Sequence, residues 1–164
     1  MTQHTNGSSA LEKLPYRLGV GLVLMNNQKK VFVGSRINMR TEAWQFPQGG
    51  IDQGEDPEKA LFREALEEIG TDHFNIIGRS ADWLSYDLPS NLVPNLWQGR
   101  YRGQKQKWYL AQFLGEEKEI QIHTAEPEFK DWKWIDFEDA LLLAAPFKIG
   151  LYKQLIKEFR KHFK

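Results

Sequence analysis

The chain is 164 residues long, enough for one domain around one core. Its 22 Lys and Arg balance 22 Asp and Glu, so no global field draws in DNA, a membrane or an acidic partner. Cysteine is absent, which excludes a disulfide framework, a thiol nucleophile, Cys-ligated zinc and iron–sulfur clusters.

Met1 to Ala10 has neither the basic start nor the apolar stretch of a secretory signal. No run approaches the roughly 18 apolar residues of a membrane span. A cytoplasmic chain with no membrane contact is therefore expected. The Ser, Gly and Asn content of the start suggests a flexible tail over 1–13, followed by a single domain over 14–164.

The apolar runs 18–25 and 31–35, split by Asn26-Asn27, predict a hairpin of two buried strands. Trp44-Gln45-Phe46 alternates and stops at Pro47. Gln48-Gly49-Gly50 reads as loop, since paired glycines suit special backbone angles or close approach. Asp56-Pro57 is a helix start, with Asp as N-cap and Pro at the first turn. The helix should run over 57–69 and stop at Gly70. Residues 74–86 suit one or two strands, and 87–103, with Pro89, Pro94, Gly99 and Gly103, a long loop. Residues 107–113 and 132–135 read as strands, 137–144 as a short helix. From Phe147 a helical apolar face continues to the end. Mixed strands and helices predict an α/β or α+β layered domain.

On a helix over 57–70, Glu64, Glu67 and Glu68 fall within an arc of about 100°. Leu61, Phe62, Ala65, Leu66 and Ile69 occupy the neighbouring arc. The like charges repel, and a hard divalent cation such as Mg²⁺ or Mn²⁺ would relieve them. Arg63 can hold Glu67 at i+4. The glycine loop before the helix can bring backbone N–H groups near an anion. Metal beside phosphate, with a water activated for attack on phosphorus, is the chemistry this suits.

Gly49, Glu55, Arg63-Glu64, Glu67-Glu68 and Gly70, at this spacing, resemble the Nudix box. Ala65 and Thr71 stand where the family pattern has bulkier aliphatic residues, which alters packing rather than chemistry. Further strings lie in the same order: Tyr16-Arg17, residues 44–51 (WQFPQGGI), residues 103–109 (GQKQKWY), Pro127-Glu128-Phe129 and Pro146-Phe147-Lys148. Together they resemble the bacterial RNA pyrophosphohydrolase branch, which is close to the plant-type dinucleoside polyphosphate hydrolases.

The resemblance implies a Nudix fold, a mixed sheet sandwiched between helices. It implies Mg²⁺-dependent hydrolysis of a 5′-triphosphorylated or diphosphorylated RNA end to a 5′-monophosphate, the first step of mRNA decay. Nucleoside polyphosphates such as Ap4A are the alternative substrates. Metal ligation maps to Glu64, Glu67, Glu68, Glu128 and the backbone of the glycine loop at Gly49 or Gly50. Catalysis maps to Glu68, Glu67 and Arg63, with the general base either Glu67 or Glu68. Arg17, Arg36 and Lys107 are placed for phosphates. Gln48 and Gln104 bind substrate, and Phe147 and Lys148 contact a nucleobase. The intact Glu64, Glu67 and Glu68 argue against a non-catalytic sensor. The histidines, His4, His73, His123 and His162, have no zinc-site spacing. Trp44, Trp108, Trp132 and Trp134 read as core or pocket wall. The basic residues from Lys148 onward form either a solvated face or a track for RNA.

Overall fold

The structure is a computed structural model and describes residues 10–37 and 42–164. Most of the expected tail, including His4, lies outside the described residues. Ala10 to Glu12 form a helical turn, and Leu11 and Leu14 pack on the core, so order begins before residue 14.

β1 (Tyr16–Met25) is apolar from Leu18 onward because residues 19–25 are buried on both faces. It pairs in parallel with β7 (Gly103–Phe113) from Tyr16↔Gly103 to Met25↔Gln112. It meets β2 (Val31–Arg36) only at Met25↔Val31, so the expected hairpin diverges at once. The space beside β1 is taken by β4 (Gln48–Gly50), antiparallel, with Gly21↔Gln48 and Gly19↔Gly50. Gln48-Gly49-Gly50 is therefore strand, not loop. The glycines serve close approach rather than a left-handed turn: neither has a positive φ.

β3 (Trp44–Gln45) and β8 (Phe129–Ile135) pair with β2. β5 (Phe74–Arg79) and β6 (Leu84–Asp87) pair with β7. Among the described residues the result is a mixed eight-stranded sheet whose main path is β3-β2-β1-β7-β5. β7 and β8 both begin earlier than the alternation alone predicts, because β1 and β2 supply their edges.

Helices cover both faces. α1 (Pro57–Ile69) sets Ala60, Leu61, Ala65 and Ile69 against Val20, Leu22, Leu24 and Phe32. On the other face, α2 (Ala140–Leu143) and α3 (Ile149–Phe159) cover Val23, Val33, Phe46, Trp108 and Leu110. Tyr152 of α3 is fully buried, and its hydroxyl accepts the Phe46 N–H at 3.0 Å. Among the described residues no helix is long and apolar enough to cross a membrane.

Caps fix α1 as its sequence requires. The Asp56 carboxylate accepts the N–H groups of Glu58 and Lys59 at 3.0 and 3.3 Å. Gly70 ends the helix at φ 76°. One part of the wheel is reversed: Leu66 is 47% exposed, whereas Glu68 is 6% exposed on the buried stripe with Leu61 and Ala65.

Gly21 illustrates the tolerance of the central pair. A Cβ there would stand 2.3 Å from the Trp108 ring, which has no free space to move. Gly21→Ala is expected to destabilise the protein by about 2–3 kcal/mol, read from urea midpoints. A change within about 0.5 kcal/mol would mean that Trp108 can move aside.

Candidate active site

The site is built where β4, the following turn and α1 meet. The turn is closed by the Glu55 N–H donating to Asp52 O at 2.9 Å, and the Asp52 N–H donating to Glu55 Oε1 at 3.0 Å. Gly54, at φ 77°, supplies the left-handed step. Arg63 then clamps turn to helix. Its Nε and Nη2 donate to Glu55 at 2.8 Å each, and Nη2 also donates to Gly50 O at 2.9 Å. Its Nη1 donates to Glu64 at 2.9 Å and to Glu67 at 3.3 Å. The fork geometry of guanidinium makes this possible. The Arg63 hydrogen bonds and the Asp52 N–H hold the Glu55 carboxyl down at about 2, and Arg63 itself is raised by Glu55.

Glu64 reaches back over β4. A Cβ on Gly49 would fall 2.0 Å from its carboxyl carbon, so only glycine leaves this path open. Burial raises the Glu64 carboxyl, with Arg63 opposing. Burial raises Glu68 well above the usual range, and the charges of Glu64 and Glu128 add to it. Arg36 and the Gln48 N–H, which donates to Glu68, oppose that rise. Among the described residues, Glu68 Oε2 is buried with no hydrogen-bond partner.

Glu128 arrives from the start of β8. A bulge between Ser35 and Arg36 shifts the β2–β8 register, and Arg36 Nη2 donates to Glu128 Oε2 at 3.2 Å. All the acidic groups here are oxygen donors. A buried carboxylate oxygen without a partner, beside further carboxylates that raise it, is the environment a hard divalent cation would stabilise. Glu64, Glu67, Glu68, Glu128 and the Gly49 backbone are the groups that could hold one. Among the described residues no three acidic, imidazole or thiol groups have closed to metal-ligand spacing. Arg63 and Arg36 instead hold Glu64, Glu67 and Glu128.

A cleft of about 440 Å³ opens from these carboxylates. Its lining includes Arg17, Arg36, Gln48, Gln104, Phe147 and Lys148. A buried chain of amides shapes its floor. Trp108 Nε1 donates to Gln106, Gln106 donates to Gln48, and both Gln48 and Gln104 donate to the Tyr86 hydroxyl, at 2.8–3.2 Å. Arg17 Nη1 donates to Gln104 at 3.2 Å. Lys148, also in the lining, is buried, donates to Gln45 Oε1 at 3.1 Å, and lies 5.3 Å from the Tyr86 ring centre. Burial and Arg36 lower its ammonium to about 7, with Glu68 opposing.

Of the residues expected from sequence, the structure gathers Glu64, Glu67, Glu68, Glu128, Gly49, Arg17, Arg36, Gln48, Gln104, Phe147 and Lys148 around this cleft. Arg63 lies behind it, bonded to Glu64 and Glu67. Lys107 is a correction. It does not line the cleft: its ammonium sits 5.5 Å from the Trp83 ring centre and acts on Glu58 in the first turn of α1. Strand parity is the reason. Gln104, Gln106 and Trp108 project to one face of β7, and Lys107 to the other with Tyr109 and Ala111. Tyr86, Gln45 and Trp97 line the cleft and were missed. Tyr86 could have been found from the alternation of 84–87; nothing local marks the other two.

Glu68 carries a measurable cost. Its folded pKa lies above the unfolded value of about 4.5, so the folded state keeps this proton to higher pH than the unfolded chain. Stability from this group is therefore present below pH 4.5 and is lost as pH rises beyond it. In EDTA at pH 7, Glu68→Gln is expected to melt about 2–4 °C above the parent, and the gap should narrow toward pH 4.5. Thermal scans across pH check this; a gap independent of pH would contradict it.

The family model described as the NUDIX domain matches residues 15–156. An RNA pyrophosphohydrolase of Rickettsia typhi is 49% identical over 154 residues, spanning 94% of this chain and 96% of that protein. One of Rickettsia bellii is 50% identical over 146 residues, spanning 89% and 91%. Solved structures agree in fold. The E. coli dihydroneopterin triphosphate pyrophosphohydrolase aligns with TM-score 0.65 at 18% identity, over 87% of this chain and 98% of that one. A C. elegans Ap4A hydrolase binary complex aligns with TM-score 0.64 at 23% identity, over 90% and 99%. The mixed sheet between helices, the acidic helix and these likenesses agree: the chain belongs to the NUDIX domain family.

Proposed function

We propose that the protein is an RNA 5′-pyrophosphohydrolase that converts 5′-triphosphate or diphosphate ends to 5′-monophosphate in the cytoplasm, and so starts mRNA decay. One observation carries this reading: a single cleft is lined by the carboxylates of α1, by Arg17 and Arg36, and by Phe147 and Lys148. That combination of groups suits phosphates and a nucleobase held in one site. The RNA pyrophosphohydrolases of Rickettsia, similar over nearly the whole chain, support it.

In this reading, Arg17 and Arg36 bind phosphate oxygens, and Gln48 and Gln104 orient the chain of phosphates. Phe147 stacks on the base while Lys148 donates to it. Glu67 or Glu68 takes the proton of the attacking water. Arg63 acts through its neighbours by keeping Glu64 and Glu67 in place. Mg²⁺ or Mn²⁺, held by Glu64, Glu67, Glu68, Glu128 and the Gly49 carbonyl, would supply charge neutralisation and a more acidic water. Water oxygen bonds to phosphorus, the anhydride bond breaks, and pyrophosphate or orthophosphate departs.

The purified protein should hydrolyse 5′-triphosphate RNA with Mg²⁺, stop in EDTA, and recover when Mg²⁺ is restored. Its kcat/KM for RNA should exceed that for diadenosine tetraphosphate by at least about tenfold. Glu67→Gln and Glu68→Gln should each lower kcat by roughly 10²-fold or more. Faster turnover of the dinucleotide would make Ap4A-type hydrolysis the function. Undiminished turnover in both Gln variants would refute the site.

A further inference from the structure

Trp97 stands on the cleft wall in an uncommon turn. Trp97, Gln98 and Gly99 have φ of 48°, 61° and 71°, three successive residues in the left-handed region. Residues with side chains pay to adopt it, and such conformations persist where their surroundings over-determine them. Here Val93 is buried in the core beneath the turn. The Gly99 N–H donates to Leu96 O at 2.9 Å, and the Arg100 N–H to Trp97 O at 3.2 Å. The result is an indole that is neither core nor free surface. It lines the cleft, with the Arg17 guanidinium 5.0 Å from its ring centre and the Tyr101 ring edge-on at 6.2 Å.

A connected set of side chains leads from Trp97 to the other aromatic end. Arg17 lies over Trp97 and donates to Gln104 at 3.2 Å. Gln104 donates to the Tyr86 hydroxyl at 2.8 Å, and the Tyr86 ring lies 5.8 Å from Phe147. The two aromatic surfaces are thus linked through contacting side chains of the cleft lining. Bases at opposite ends of a polyphosphate would need surfaces on either side of the carboxylates. Consecutive nucleotides of a chain need them side by side, and Trp or an Arg plane stacks any base.

We infer that Trp97, together with the Arg17 plane on it, is a second base-stacking surface, for the nucleotide next to the one held at Phe147. This rests on the RNA reading and adds a subsite to it. The protein therefore engages two consecutive bases, and the second contact tolerates any base.

The test uses 5′-triphosphate RNA oligomers with a single abasic nucleotide placed in turn at positions 1, 2 and 3, assayed with the full chain and Mg²⁺. In the parent, abasic substitution at two neighbouring positions should each lower kcat/KM about tenfold. One of these losses should shrink below about twofold in Trp97→Ala, and the other in Phe147→Ala. Trp97→Phe should restore most of the sensitivity, which a purely structural defect would not do. If Trp97→Ala lowers kcat/KM by the same factor for intact and every abasic RNA, the subsite is refuted while the RNA reading stands. If the parent does not hydrolyse 5′-triphosphate RNA, both are refuted.

Discussion

Arg63 is the interaction on which the site depends. Its guanidinium joins the Gly50 carbonyl, the Glu55 carboxylate of the turn, and Glu64 and Glu67 of α1. Without it, Glu55, Glu64 and Glu67 would lose the guanidinium that pairs with all three. With it, the turn, β4 and the helix are one rigid unit, and Glu64 is aimed across the open face of Gly49. The capped, amphipathic helix supplies the frame, but the guanidinium sets which way its acids point.

The remainder of the cleft is built at a cost to stability. Glu68 occupies a core position of α1, and Lys148 is buried with its charge disfavoured. Hydrophobic residues there would make a more stable protein. What these groups provide instead is charge and hydrogen-bonding capacity in the cleft lining. The amide chain from Trp108 through Gln106, Gln48, Tyr86 and Gln104 to Arg17 extends that hydrogen bonding from the core to the cleft mouth. Satisfied buried networks of this kind fix side-chain positions as well as packing does.

The parts of this site legible in the sequence are those fixed locally. Asp56-Pro57 and Gly70 define α1, and the spacing of Glu64, Glu67 and Glu68 follows from helix geometry. The parts set by register were not legible from period alone. Gly49-Gly50 forms a strand because β1 offers an edge and Glu64 and Arg17 need the space over it. Lys107 leaves the cleft by the parity of β7. Glu68 and Leu66 exchange their expected environments because the core stripe runs through 61, 65 and 68, and chemistry overrides hydropathy at the last position. Trp97 sits in what reads only as a loop, and its importance depends on residues 80 positions away.

The most direct test of the organising role of Arg63 is amide hydrogen exchange over residues 51–56 in Arg63→Lys, which keeps the charge and removes the fork. The Asp52 and Glu55 amides are hydrogen-bonded within the clamped turn. Their protection should fall by at least about tenfold relative to the parent, while β1 and β7 amides keep theirs. Unchanged protection over 51–56 would show that the turn stands without the guanidinium, and would contradict the account.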